Sequence, residues 1–158
     1  MATSEIRTKS PAPAAFTITF SPAGVPLANG SARQSTLLTN TSPGYPAALI
    51  HARIKSGGVA PTVGSVFEIY LLRSDGTIAD DGAGASDAAI TIENAPLLGT
   101  IVVTATTTKN FYGVFDTSPL GPLGTSWGIA VKNSTGQSIS ATEGDHAVRY
   151  TYYVPESQ

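Results

Sequence analysis

Residues 47–55 read AALIHARIK, an alternation with a period of two. Ala48, Ile50, Ala52 and Ile54 fall on one side of an extended chain, and Leu49, His51, Arg53 and Lys55 fall on the other. One side suits a core and the other suits water. The same period recurs in AFTITF (15–20), where Phe16, Ile18 and Phe20 alternate with Ala15, Thr17 and Thr19. SVFEIYLLR (65–73) is apolar on both sides except at Glu68, as a more central strand would be. RQSTLLT (33–39), GTIVVTATTT (99–108), NFYGVF (110–115), SWGIAVKN (126–133) and AVRYTYYV (147–154) bring the series to roughly eight strands. Turn formers lie between them: SPGYP, SDGT, TKN and NSTGQS. The 16 glycines and 11 prolines leave hardly any window with a 3.6-residue apolar period, so helices are not expected.

This pattern predicts an all-β protein, a β-sandwich or jelly roll of roughly eight antiparallel strands. An up-and-down barrel would ask for shorter, more uniform hairpins than ADDGAGASDAA (79–89) permits, and that small, acidic stretch reads as a surface loop. SPAPAA favours polyproline II and the residues before it are polar. Residues 1–14 are therefore expected to form an extended N-terminal arm, and residues 15–158 a single sandwich domain.

Composition limits the partners. Charged residues make up 13% of the chain, well below the ~25% of ordinary soluble domains, so solubility must rest on Ser, Thr, Asn and Gly. A formal charge of −2 gives no case for nucleic acid, which calls for a basic face. Cysteine is absent, which removes disulfides and thiolate chemistry. MATSEIRTKSPAPAAF has no apolar h-region, and no run approaches the ~20 apolar residues of a membrane helix. The expectation is a soluble product of a cytoplasm, not exported by that route.

No residue set spells out a reaction. His51 lies on the polar side of its strand and His146 in the turn EGDHAV, and neither has a nucleophile elbow nearby. Both read as solvated or hydrogen-bonded surface histidines. Two distant histidines without cysteine make no zinc pattern. Asp80, Asp81 and Asp87 share an acidic loop but lack the spacing of a calcium loop, so a solvated loop is expected. Glu68 is a single acid in an apolar strand, where glycoside hydrolysis needs two, and pairing with a neighbouring Arg explains it more simply. No catalytic residue, metal site or cofactor is expected, and the chain is read as a non-enzyme. Trp127 shares a side with Ile129 and Val131 and belongs in the core. Tyr150 and Tyr152 share the side of Val148 and Val154, while Tyr153 falls with Arg149 and Thr151 and is a candidate for an interface or a sugar.

NGSARQSTLLTN followed by YPAALIHARIKSGGVAPTVGSVFEIYLLRS resembles a recurring pattern in small structural proteins of tailed bacteriophages. GIAVKNSTGQSI and VRYTYYVPE resemble the later parts of the same pattern, so the likeness runs from about residue 29 to 155. The resemblance implies a virion protein of the decoration or cement type that binds and stabilises the capsid shell. Its implied partners are the major capsid protein, other virion subunits and copies of itself, with a trimer as the expected oligomer and no nucleic acid or membrane. Interface candidates are Arg7 and Lys9 on the arm, Arg33 and Gln34 at a strand entrance, and Tyr153. The competing reading is a carbohydrate-binding β-sandwich module of a phage fibre or spike.

Overall fold

The computed structural model describes the backbone of residues 6–9, 11–42, 44–82 and 84–157, and the side chains of 11–42, 44–82 and 84–153. Among the described residues there are eleven strands. They are β1 (Ile6–Lys9), β2 (Ala14–Ala15), β3 (Ala32–Gln34), β4 (Leu38–Thr39), β5 (Ala47–Lys55), β6 (Val66–Ser74), β7 (Ala88–Ile90), β8 (Leu97–Val102), β9 (Asn110–Asp116), β10 (Ser126–Ser134) and β11 (Ala147–Ser157). Sheet A has the order β1-β11-β5-β9, with β2 also on β11, and sheet B the order β7-β3-β10-β6-β8, with β4 also on β10. The pairings are antiparallel.

The period-two residues decide how the sheets meet. Ile50, Ile54, Phe111 and Val148 of sheet A share one buried cluster with Phe67, Ile69, Leu71, Trp127, Ile129 and Val131 of sheet B. Leu49, His51, Arg53 and Lys55 consequently face away from it. At one end of the core the Trp127 indole N–H donates to the Tyr152 hydroxyl at 3.1 Å, and Tyr152 stacks on Tyr45 with ring centroids 4.0 Å apart. Phe16 meets the Trp127 ring edge-on at 5.3 Å. Trp127 thus satisfies its one polar atom while losing all contact with water.

The strand count exceeds the expected number for local reasons. The stretch 33–39 divides into β3 and β4, because the chain detours at 35–37: Thr36 N–H donates to Thr17 O at 2.8 Å while Ser35 Oγ accepts the Ile129 N–H at 3.1 Å. Of the strand predicted at 15–20 only Ala15 lies in a strand, as the end of β2, since Phe16 still bonds Val148 of sheet A while Thr17 bonds the β3–β4 detour of sheet B. A segment crossing between sheets cannot keep a ladder with either. The strand predicted at 99–108 stops at Val102, and 104–108 turns the chain from sheet B toward sheet A, with Thr108 at φ 51°. β7 emerges from the end of the predicted loop 79–89 and pairs with β3.

Residues 6–9 of the predicted arm form β1 against 154–157 of β11. The side chains of Arg7 and Lys9 lie outside the described residues.

Candidate functional site: the outer face of sheet A

Each sheet has an outer face, and the two are treated differently. Over sheet B the segment 75–96 folds back and creates a second small core, in which Leu72, Ala95 and Ala130 are buried beneath Leu37, Tyr70, Ile90 and Ile92. Gln34 is the polar member of this cover. It is 0% exposed, and its amide Nε2 donates to Gly84 O at 2.7 Å and Ser86 O at 2.6 Å. Gly82 passes directly over that amide at φ 114°, where a Cβ would collide with Gln34 Oε1.

Carboxylates pin the same segment. Arg33 pairs with Asp87 at 2.7 Å and Arg73 with Asp80 at 3.0 Å. Asp81 Oδ2 accepts the N–H groups of Glu93, Asn94 and Ala95 at 3.0, 2.8 and 2.6 Å. Burial pushes the Asp81 carboxyl up, but these three donors together outweigh it and hold it below the ordinary Asp value. All three loop aspartates therefore spend their charge on the chain itself. Among the described residues no three His, Asp or Glu side chains converge as metal ligands.

Glu68 also faces outward from sheet B, accepting from the Tyr70 hydroxyl and from Ser134 Oγ, the latter at 2.6 Å, with Lys132 Nζ at 3.6 Å. Its partner cation is a lysine of β10, not the arginine expected. Burial raises its carboxyl, and Ser134, Tyr70 and Lys132 together bring it below the usual Glu value.

Among the described residues no comparable loop folds over sheet A. Register places Arg53 between Ala147 and Tyr112, His51 between Arg149 and Val114, and Leu49 between Thr151 and Asp116, while Tyr153 sits opposite Ala47. Tyr112 is 68% exposed and Val114 59%. Among the described residues neither Arg149 nor His51 has a hydrogen-bond or ion-pair partner. Arg53 gives one Nη2 bond to Gly144 O at 2.9 Å and leaves its buried Nε without a partner. The result is a shallow depression of about 350 Å³ lined by His51, Arg53, Tyr112, Ala147 and Arg149. Two guanidinium groups and an imidazole stand there beside a tyrosine, on a chain whose net charge is negative. Tyr153 borders the acidic end of the same face, where burial first and Asp116 second raise its phenol pKa.

The interface candidates are thus dispersed. Tyr153 lies on the bare face, whereas Arg33 and Gln34 are occupied under the loop of sheet B. Arg53, Arg149 and Tyr112 were not singled out as interface residues, although the alternation of 47–55 had already put Arg53 on the wet side. His146 departs from its expected surface position: it is 7% exposed, with Nδ1 accepting the Lys55 N–H at 3.3 Å and Nε2 2.9 Å from Ser140 O. A turn that closes over the sandwich end, with Phe20 against the imidazole at 5.1 Å, is what buries it.

No protein-family model, curated protein or solved structure matches this chain.

Proposed function

We propose that this chain is a structural protein of a tailed-phage virion, a decoration or cement protein that binds the capsid shell, assembles with copies of itself and catalyses no reaction. The observation that carries the reading is the outer face of sheet A, where among the described residues Arg53 and Arg149 have no ion-pair partner and stand with His51 beside exposed Tyr112. Arginine and tyrosine are the side chains that interfaces favour, and an acidic patch on a capsid subunit is the complementary surface.

Strand order supports a jelly roll. With β3 and β4 counted as one strand and the short β1 and β7 set aside, sheet A runs first, eighth, third, sixth, and sheet B second, seventh, fourth, fifth. That is the wrapping of two interlocked Greek keys, an architecture found in viral capsid and lectin domains. It fits a shell protein that stays folded without disulfides, and its location in this reading is the virion surface.

The test is direct. Particles that carry this protein, imaged with and without it, should show density for the chain on the capsid exterior. Replacing Arg53 and Arg149 by Glu should prevent attachment to stripped particles, and attachment unchanged by that double substitution would sink the assignment of the face.

A second reading has its own observation. An exposed tyrosine beside arginines in a shallow depression is also how a carbohydrate platform is built. Specific binding on a glycan array that Tyr112→Ala abolishes would favour a fibre or spike module.

A further inference from the structure

Among the described residues β9 is the outermost strand of sheet A, and its outer edge can be read residue by residue. Thr117 N–H donates to Ala48 O and Ser56 N–H to Lys109 O, both at 3.0 Å. These bonds flank the β5–β9 ladder and set its phase. Phe111, Gly113 and Phe115 aim their backbone groups at β5, while Asn110, Tyr112, Val114 and Asp116 aim theirs away from the sheet.

Soluble proteins ordinarily blunt such an edge with proline, lysine, a bulge or brevity. The other edges here follow that rule. β7 has three residues, β8 carries a register irregularity opposite Ile69 and Tyr70, and β1 and β2 are separated by a stretch containing Pro11 and Pro13. β9 is seven residues long, NFYGVFD, with no proline, no cation and no irregularity in its pairing. Its outward-aimed residues Tyr112 and Val114 are also its most exposed apolar ones.

The strand is complementary to itself. In an antiparallel pair of β9 strands centred on Gly113, the outward-aimed residues match as Asn110 with Asp116, and Tyr112 with Val114. Gly113 then meets Gly113 at the axis. No like charges meet, and each copy contributes an aromatic residue opposite a β-branched one, a favourable cross-strand pair. Glycine at the centre has a reason within the monomer too: a Cβ on Gly113 would lie 2.6 Å from the Phe115 ring and 2.7 Å from Ile101.

We propose that two copies of this chain join edge to edge through β9, in this register, about a two-fold axis normal to sheet A. The axis keeps both outer faces on the same side, so the dimer presents one continuous sheet bearing Arg53, His51 and Arg149 twice. This goes beyond the virion reading and stands without it. It also makes a dimer the unit of assembly, where the resemblance implies a trimer.

Sedimentation of the isolated protein tests the proposal, independently of any particle. A concentration-dependent dimer is expected. Val114→Lys sets a charge beside Tyr112 of the other copy twice per dimer and should weaken association at least about tenfold. Val114→Pro removes only an outward N–H, and should do the same while the β5 ladder survives. Thermal melts of both variants report whether the monomer still folds. Asn110→Lys should strengthen the dimer, and a zero-length carbodiimide should link Lys at 110 to Asp116. Within one chain those positions are ~20 Å apart along the strand, so this crosslink reports pairing between copies. A monomer at all concentrations, an oligomer indifferent to both Val114 variants, or a dimer lacking the 110–116 crosslink would each overturn the proposal.

Discussion

The outer faces of sheets A and B start from similar material and end differently. On sheet B, Gln34, Leu72 and Ala130 have a loop folded over them, and that loop commits Asp80, Asp81 and Asp87 to its own anchoring. On sheet A no described segment folds over His51, Arg149 and Tyr112, and Arg53 meets only the turn at Gly144. A polar group that a chain has satisfied internally supports the fold, and one that it leaves unsatisfied at the surface remains available to a partner. The first face should respond to mutation through stability and the second through binding.

The largest effect should come from Leu72→Ala, which empties a site that is 1% exposed beneath the loop. A loss of about 2–5 kcal/mol in urea unfolding is expected, of the size that Ile50→Ala should show in the main core. A loss under 1 kcal/mol would mean that the cover of sheet B contributes little.

Gln34→Ala should cost about 1–3 kcal/mol, because Gly84 O and Ser86 O lose their donor under a closed loop. Amide exchange should accelerate in 80–90 ahead of the rest of the chain. Uniform acceleration would show that the loop opens only with global unfolding.

His146 gives a pH test at the end of the sandwich. Burial lowers its folded pKa below the ordinary value, whereas the unfolded imidazole titrates near ~6.5. Below that pH the unfolded state takes up the proton first. Stability should therefore be undiminished above the unfolded pKa and decline as pH falls from there toward the folded one. His146→Gln should remove this part of the slope.

The smallest stability effects belong to the bare face. Tyr112→Ala and Arg149→Glu should each change unfolding free energy by no more than about 0.5 kcal/mol while reducing attachment. Substantial destabilisation by either would erase the distinction between the faces.

The main core was legible because it depends on period two alone. Ile50, Ile54, Trp127 and Ile129 needed only their neighbours in sequence to be assigned inward. Gln34 was not legible in this way, since its burial comes from a loop some 50 residues further on. β7 was hidden for the same reason: Ala88–Ile90 has no strong strand propensity and forms because β3 supplies a partner. Arg53 could be assigned to a polar face from its strand, but its neighbours Tyr112 and Arg149 depend on the registers of β9 and β11. Local pattern specifies the side of a strand, whereas a surface site needs the order of strands.

That order has a consequence for how the molecule is made. β10 is the middle strand of sheet B and β11 lies inside sheet A, yet both follow the other nine described strands in sequence. While residues up to 125 are emerging from the ribosome, β5 and β6 each lack a central neighbour, so neither sheet can close. Both sheets must be completed at nearly the same moment, through loop closures that give little stabilisation until the final strands arrive. Folding should be slow for the domain's size and should begin in earnest only once residues 126–157 have been made. Until then the apolar runs of β5 and β6 are exposed, and they are the segments a chaperone would hold.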